Sequence, residues 1–139
     1  MPQVINSMKK NFSFWEEIIL LAFLLFPVIS YAERAELWIK NLESENTLIR
    51  KNAVFYLGKM KEARAIPDLV KLLDNPVEED LEITIISALG KIGDLSVLPF
   101  LRKRYMKINK KNDVLKKAYI QAISRLEKIY EYRQPGKQE

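Results

Sequence analysis

The sequence predicts an all-α fold in which three helix pairs stack side by side, preceded by a separate apolar segment. Two observations predict the stack: one apolar spacing recurs three times, and a short motif repeats every 32 to 34 residues. An uninterrupted apolar run near the amino end predicts the separate segment. The chain has 139 residues, 48% of them hydrophobic and 29% charged, so we expect at most one domain of ordinary globular composition.

The amino-terminal segment has the layout of a secretory signal peptide. Nine apolar residues, Ile18–Phe26 (IILLAFLLF), follow the basic pair Lys9 and Lys10. The small residues Ser30 and Ala32 then occupy the positions three and one before a cut after Ala32. A basic start, a short apolar run and small residues at the cleavage site are together typical of signal peptides. We therefore predict cleavage after Ala32.

This prediction divides the chain into a signal peptide over 1–32 and a repeat domain over 33–139. A start at Met8 would give a more compact basic region, so we expect that the true chain begins there. One alternative is an uncleaved membrane anchor over 18–32, although these 15 residues include Pro27 and fall short of the roughly 20 that a spanning helix needs. Another is a buried helix of the domain, which the lack of an amphipathic period disfavours. We expect an exported domain, periplasmic or secreted, or else anchored in the membrane and facing outward.

A short motif recurs along the repeat domain. Leu57–Met60 aligns with Leu89–Ile92 at a separation of 32 residues, and Ile123–Leu126 follows at a separation of 34. Around each copy, apolar residues fall at i, i+4, i+7, i+8 and i+11, which places five side chains on one stripe of a helix. The three stripes are Ile49, Ala53, Tyr56, Leu57 and Met60; Leu81, Ile85, Ala88, Leu89 and Ile92; and Leu115, Tyr119, Ala122, Ile123 and Leu126.

A shorter amphipathic helix precedes each of these helices. Pro67 and Pro99 lie near the starts of the second and third short helices, where a missing amide donor is tolerated. Asn46 and Asn112 are N-cap candidates for long helices, and Asn75 with its following proline predicts a turn. The short stripes are Ala35, Trp38, Ile39 and Leu42; Ile66, Leu69, Val70 and Leu73; and Leu98, Leu101 and Tyr105. The predicted helices are 34–43, 47–61, 65–74, 79–92, 96–108 and 113–132.

These stretches resemble HEAT-like repeats. The resemblance rests on Asn46–Met60 followed by Ala65–Leu73, and on Ile85–Asp94 followed by Val97–Leu101, and it extends over about residues 35–130. The run ALGKIGD followed by LPFL is similar, more narrowly, to the bacterial repeats named after phycobilisome lyases. The resemblance implies a right-handed α-α solenoid of three HEAT-like helix pairs, a scaffold role, and a concave side lined by the second helix of each pair.

The chain departs from the family pattern at several positions. Arg50 stands where the family favours arginine, but its equivalents in the next two pairs are Glu82 and Lys116. Ser124 replaces the glycine that the first two pairs have, and the loop 107–112 is longer than its counterparts. These departures indicate that the last pair has the character of a terminal cap.

The residues that point away from the core stripes of the three long helices define a candidate partner-binding face. This face carries five cations and no carboxylate among nine positions, with Phe55 and Ile83 as its apolar side chains. Such a face is either merely solvated or a groove that binds an anionic surface, and the second interpretation predicts a protein partner with an acidic surface. The nine predicted partner-binding residues are Lys51, Phe55, Lys59, Ile83, Ser87, Lys91, Lys117, Gln121 and Arg125.

Composition and motifs argue against catalysis and cofactors. The chain has no Cys and no His, which excludes disulfides, Cys/His zinc sites and Ser–His–Asp triads. No serine lies in a Gly-x-Ser-x-Gly turn, and the acidic residues between Asp74 and Glu82 lack the glycine and the alternating ligands of a calcium loop. We therefore predict no enzyme activity, no cofactor and no metal.

The remaining charge cluster is a basic run over 102–117, with eight cations and one carboxylate. It is either a solvated loop or a site for acidic lipid headgroups or nucleic acid. Export of the chain disfavours nucleic acid, and membrane contact through 18–32 is expected only if that segment stays uncleaved. We predict a non-catalytic protein-interaction scaffold of the cell envelope. The alternative is an accessory subunit or maturation factor of an enzyme, as the lyase-type repeats imply.

Overall fold

The computed structural model describes residues 16–22, 30–75, 77–109 and 111–134. The chain divides into two compact units, Met1–Glu36 and Leu37–Glu139. The first unit is helical over 16–22, where the side chains are exposed, and again from residue 30. There Arg34 reaches back one turn and donates hydrogen bonds to the carbonyl oxygen and the hydroxyl of Ser30, at 3.4 and 3.1 Å.

Much of the predicted signal peptide lies outside the described residues. This holds for the basic pair Lys9 and Lys10, for Met8, and for residues 23–29, which include the end of the apolar run. Ala32, the predicted cleavage residue, lies within a helical stretch over 30–41. Within the four described ranges, no helix combines the length and the apolar character that crossing a membrane requires.

The second unit consists of helices and turns, with no strand among its described residues. Single turns of 3₁₀ helix at Ala63–Ala65 and Leu95–Val97 lead into two of the helices. The prediction of alternating short and long helices is confirmed. The helices are α1 over 30–41, which begins in the first unit, α2 Thr47–Met60, α3 Ile66–Asp74, α4 Glu79–Ile92, α5 Leu98–Tyr105 and α6 Asp113–Tyr132.

The observed ends of the helices differ from the predicted ends by a few residues. One difference affects a cleft described below: α5 was expected to end at residue 108, but it ends at Tyr105. The amides of Lys107 and Ile108 donate to carbonyls only three residues back, at 2.9 and 3.2 Å, so the chain tightens into a turn. In the predicted turn after α3, the Asn75 side chain donates to the Lys71 carbonyl at 3.1 Å, and the following proline lies outside the described residues.

Side-chain caps fix the starts of two long helices as predicted. Asn46 Oδ1 accepts from the amide of Leu48 at 2.9 Å, and Asn112 Oδ1 accepts from the amide of Leu115 at 3.0 Å. Glu78, before α4, makes no cap bond to its own helix. Its carboxylate instead accepts from the Thr47 hydroxyl at 3.3 Å, which joins the starts of two neighbouring long helices.

The long helices form one layer, with α4 packed against α2 on one side and α6 on the other, while α3 and α5 form the second layer. Four of the five residues in each of the predicted apolar stripes of α4 and α6 are buried in the core. The stripe of α2 differs, because Ile49 and Tyr56 are 41% and 40% exposed. Within the described part of this unit, no long helix covers that side of α2, and the Tyr56 ring stacks instead on Trp38 of α1 at 4.6 Å.

Two glycines set how closely the long helices approach. Gly58 of α2 faces Ala88 of α4, where an added Cβ would lie 2.7 Å from both the Cα and the Cβ of the alanine. Gly90 of α4 faces Ala122 of α6 in the same way, at 3.0 Å. The same pairing of glycine and alanine therefore recurs at both interfaces of α4.

Candidate functional site

Six of the nine predicted partner-binding residues line two neighbouring depressions on the layer of long helices. The first depression, about 260 Å³, lies between α2 and α4, and the second, about 150 Å³, lies between α4 and α6. Ile83 and Ser87 of α4 line both, so the depressions adjoin. We call this surface the groove, and its six predicted residues are Phe55, Ile83, Ser87, Lys91, Gln121 and Arg125.

The Phe55 ring is the largest apolar surface in the groove. It is 48% exposed and is held edge-on against Tyr56, with ring centroids 5.4 Å apart. The ammonium of Lys91, one helix away, lies 5.3 Å from the Phe55 ring centroid, within the range of a cation–π contact. Phe55 is therefore fixed in place from two sides while half of its surface faces solvent.

The three predicted residues outside the groove are cations. Lys51 is half-buried, and its ammonium forms an ion pair with the Asp80 carboxylate in the first turn of α4. Lys59 and Lys117 are exposed and line neither depression. The groove itself thus keeps two of the five predicted cations, Lys91 and Arg125.

The acidic residues around the start of α4 link helices to one another. Asp80 pairs with Lys51 of α2, and a Glu79 oxygen accepts from the side-chain amide of Asn112 at 2.7 Å. Among the described residues, no group of acidic side chains is arranged to hold a metal ion. In the sequence these residues form one charged cluster, whereas the structure divides them among contacts to α2 and α6.

A partly buried polar cluster that was not predicted from the sequence joins α4, α5 and α6. The Tyr119 hydroxyl of α6 donates to Glu82 Oε1 at 2.8 Å and accepts from Arg104 Nε at 3.1 Å. A second guanidinium nitrogen of Arg104 donates to the same Glu82 oxygen at 3.4 Å. Burial is the main cause that raises the pKa of Tyr119 to about 12, and the Glu82 carboxylate adds to it. Burial alone would lower the pKa of Arg104, but its bonds with Tyr119 and Glu82 raise it above the usual value.

This cluster borders a cleft of about 500 Å³ between α5, the loop after it, and α6, which we call the α5–α6 cleft. Phe100, Ile108 and Leu115 are its apolar lining residues, and the exposed Lys103 and Lys107 also line it. Two departures from the repeat, Glu82 and the long loop 107–112, were the features of the sequence that could have pointed to this cleft. Both of them lie at the cleft.

Comparisons with known proteins agree with a fold of helical repeats. A family model described as HEAT repeats matches residues 35–124, which is more than half of the chain. The chain is also similar to an uncharacterized protein in the gldA 3′ region of Geobacillus stearothermophilus, with 37% identity over 71 residues. That match covers 49% of this chain and 33% of the relative, so the chain spans about a third of the relative's length. The paired helices, the recurring glycine–alanine contacts and the family match lead to one conclusion: the chain belongs to the HEAT-repeat family.

Proposed function

We propose that the protein is a non-catalytic interaction module whose groove binds another protein through an acidic surface. HEAT repeats generally mediate interactions between proteins, which supports the class of function. The lack of Cys and His in the sequence supports a binding role over a catalytic one, because the usual nucleophile–base pairs cannot be built.

One observation carries the proposal: the groove is continuous across three repeats. Its two depressions share Ile83 and Ser87 on α4, so one partner segment can contact α2, α4 and α6 together. Phe55 supplies an exposed aromatic surface at one end, and Arg125 supplies a cation at the other. An apolar anchor with flanking cations fits a partner that carries an apolar side chain beside carboxylates.

The apolar and charged residues have different expected roles. Exposed charge pairs contribute only about 0–1 kcal/mol each, so the cations mainly speed the encounter with an acidic surface. Truncation of an aromatic anchor that becomes buried on binding typically costs about 2 kcal/mol or more, so we expect Phe55 to supply most of the affinity. Phe55→Ala should leave the fold intact because half of the ring already faces solvent.

The first experiment is capture of partners from cell-envelope extracts with the purified protein and two variants. Phe55→Ala should lose the partner that the unmodified protein captures. The matched control is Leu48→Ala, which removes another exposed apolar side chain of α2 outside the groove. A partner retained by Phe55→Ala, or lost equally with both variants, would refute the groove as the binding surface.

The captured partner then allows a kinetic test of the cations. Replacing Lys59, Lys91 and Arg125 together by alanine should slow association and flatten its dependence on salt, while Phe55→Ala should mainly speed dissociation. An unchanged association rate and salt dependence in the triple variant would refute the steering role. The control triple replaces exposed lysines outside the nine predicted partner-binding residues: Lys40, Lys71 and Lys128.

We further propose that the protein acts outside the cytoplasm, on the support of the basic pair Lys9 and Lys10 followed by the apolar run from Ile18. A fusion of residues 8–32 to a reporter that is active only after export tests this. A cleaved fusion with an active reporter supports a free exported protein, and an intact chain in the membrane fraction supports the anchored alternative. An inactive reporter would refute export.

A further inference from the structure

The α5–α6 cleft is large enough for a small ligand. Its volume of about 500 Å³ falls inside the range of about 300–1,000 Å³ that is usual for small-molecule sites. Its apolar lining comes from Phe100, Ile108 and Leu115, and its polar lining includes Arg104 and Tyr119. Apolar walls with a few fixed polar groups are the common composition of such sites.

Two of the three members of the polar cluster, Arg104 and Tyr119, have apolar equivalents in the preceding pair. At the repeat separation of 32, Arg104 takes the place of Leu72, and Glu82 takes the place of Arg50. At the separation of 34, Tyr119 takes the place of the buried Ile85. The preceding pair stacks with Leu72 and Ile85 at these positions, so Arg104 and Tyr119 are available for a role in binding.

The charges that remain unpaired in the cleft are positive. The carboxylates of Glu82 and Asp74 both have Arg104 as a partner, Glu82 by a hydrogen bond and Asp74 at 3.8 Å. The ammonium groups of Lys103 and Lys107 have no ion-pair partner within the described part of the chain.

Arg104 also keeps donors available for a ligand. Its hydrogen bonds to Tyr119 and Glu82 use Nε and one terminal nitrogen, and the other terminal nitrogen lies 3.8 Å from Asp74, too far for a hydrogen bond. The side chain is 29% exposed. Because Tyr119 and Glu82 hold the guanidinium in place, an anion meets a cation that is already oriented.

We propose that the α5–α6 cleft binds a small amphiphilic anion, with its carboxylate or phosphate head at Arg104, Lys103 and Lys107 and its hydrocarbon part against Phe100 and Ile108. This site is separate from the groove. It lies between α5 and α6 and shares no lining residue with the two depressions. The proposal therefore stands or falls independently of the protein-binding function.

The test is titration of the full chain with decanoate below its micelle concentration, followed by calorimetry. Decanol has the same chain without the charge, and decyltrimethylammonium has the opposite charge. We expect binding of decanoate and much weaker binding of both other probes. Decyl phosphate in a parallel titration distinguishes the two head groups, and preferential binding of either anion supports the proposal. Failure of both anions to bind, or equal binding of decanol or the cationic probe, would overturn it.

Variants test whether decanoate binds in the α5–α6 cleft. Replacing Lys103 and Lys107 by alanine should weaken decanoate binding by about fivefold or more, since two exposed charge contacts are lost. The fold should be unaffected because both side chains are exposed. The control replaces Lys71 and Lys128, exposed lysines of α3 and α6 outside the cleft, and should bind decanoate as tightly as the unmodified protein. Equal affinity in the Lys103/Lys107 variant and its control would refute the site.

Discussion

Replacement of Gly58 by alanine tests the closest contact between two repeats. The added Cβ would lie 2.7 Å from the Cα and Cβ of Ala88, about 0.7 Å short of the 3.4 Å at which ordinary contact begins. Both obstructing atoms are fixed to the α4 backbone, so no change of rotamer relieves the clash. The two helices must therefore move apart.

Two opposing effects determine the magnitude. Alanine is favoured over glycine inside a helix by about 1 kcal/mol, which stabilises the variant. Overpacking of a close-packed interface costs about 1–3 kcal/mol, and the absence of any flexible neighbour places Gly58 at the upper end of that range. We expect a net loss of about 2 kcal/mol, which lowers the Tm by about 8–16 °C in a unit of this size.

Thermal unfolding followed by circular dichroism measures the effect, and two further variants calibrate it. Asn52→Ala changes an exposed residue of the same helix and should raise the Tm slightly through helix propensity alone. In Gly90→Ala the added Cβ would lie 3.0 Å from Ala122, about 0.4 Å short of ordinary contact. The fall in Tm should therefore be smaller than for Gly58→Ala. If Gly58→Ala unfolds at or above the temperature of Asn52→Ala, the close approach of α2 and α4 is refuted.

Three further predictions concern polar contacts. The folded protein keeps the Tyr119 proton up to about pH 12 while the unfolded chain releases it near pH 10, so the free energy of unfolding should fall as the pH rises from 10 to 12. Urea unfolding should detect a fall of about 3 kcal/mol relative to Tyr119→Phe, which has no hydroxyl to ionise. Arg50→Ala removes hydrogen bonds to the carbonyls of Ser44 and Glu45, at 2.7 and 2.9 Å, and should lower the free energy of unfolding by about 1–3 kcal/mol in the same assay. Asn46→Ala should cost about 1 kcal/mol, and Asn46→Asp should recover most of it, since either side chain caps α2.

The fold was predictable because its signals are local and recur. A single copy of the spacing around Leu57 is compatible with many helices, but three copies at nearly equal separation require equivalent partners. The ends of helices are harder to predict, because they lack this support from recurring copies. The end of α5 was misplaced by three residues because Met106 and Ile108 continue an apolar pattern while their backbone already forms a turn.

The candidate site was predictable only where it depends on one helix at a time. The 100° rotation per residue placed Phe55 away from the core stripe of α2, and Ile83 and Lys91 away from that of α4, and the structure brings the three residues to one depression. That this face binds a partner stays a prediction. No periodicity within a helix could show that Lys51 meets a carboxylate of α4, or that Tyr119 meets Glu82 across 37 residues of chain.

The central position of α4 has a consequence for how the protein opens. α4 has a long helix on both sides, so two interfaces between long helices must open before its amides reach solvent. For α2 or α6, only the interface with α4 must open. Hydrogen exchange should therefore be slowest along α4, and fraying should start at the outer helices. Ile83, Ser87 and Lys91 stand on this helix. The middle of the groove thus rests on the most persistent element of the domain, which leaves little local disorder to be lost when a partner docks there.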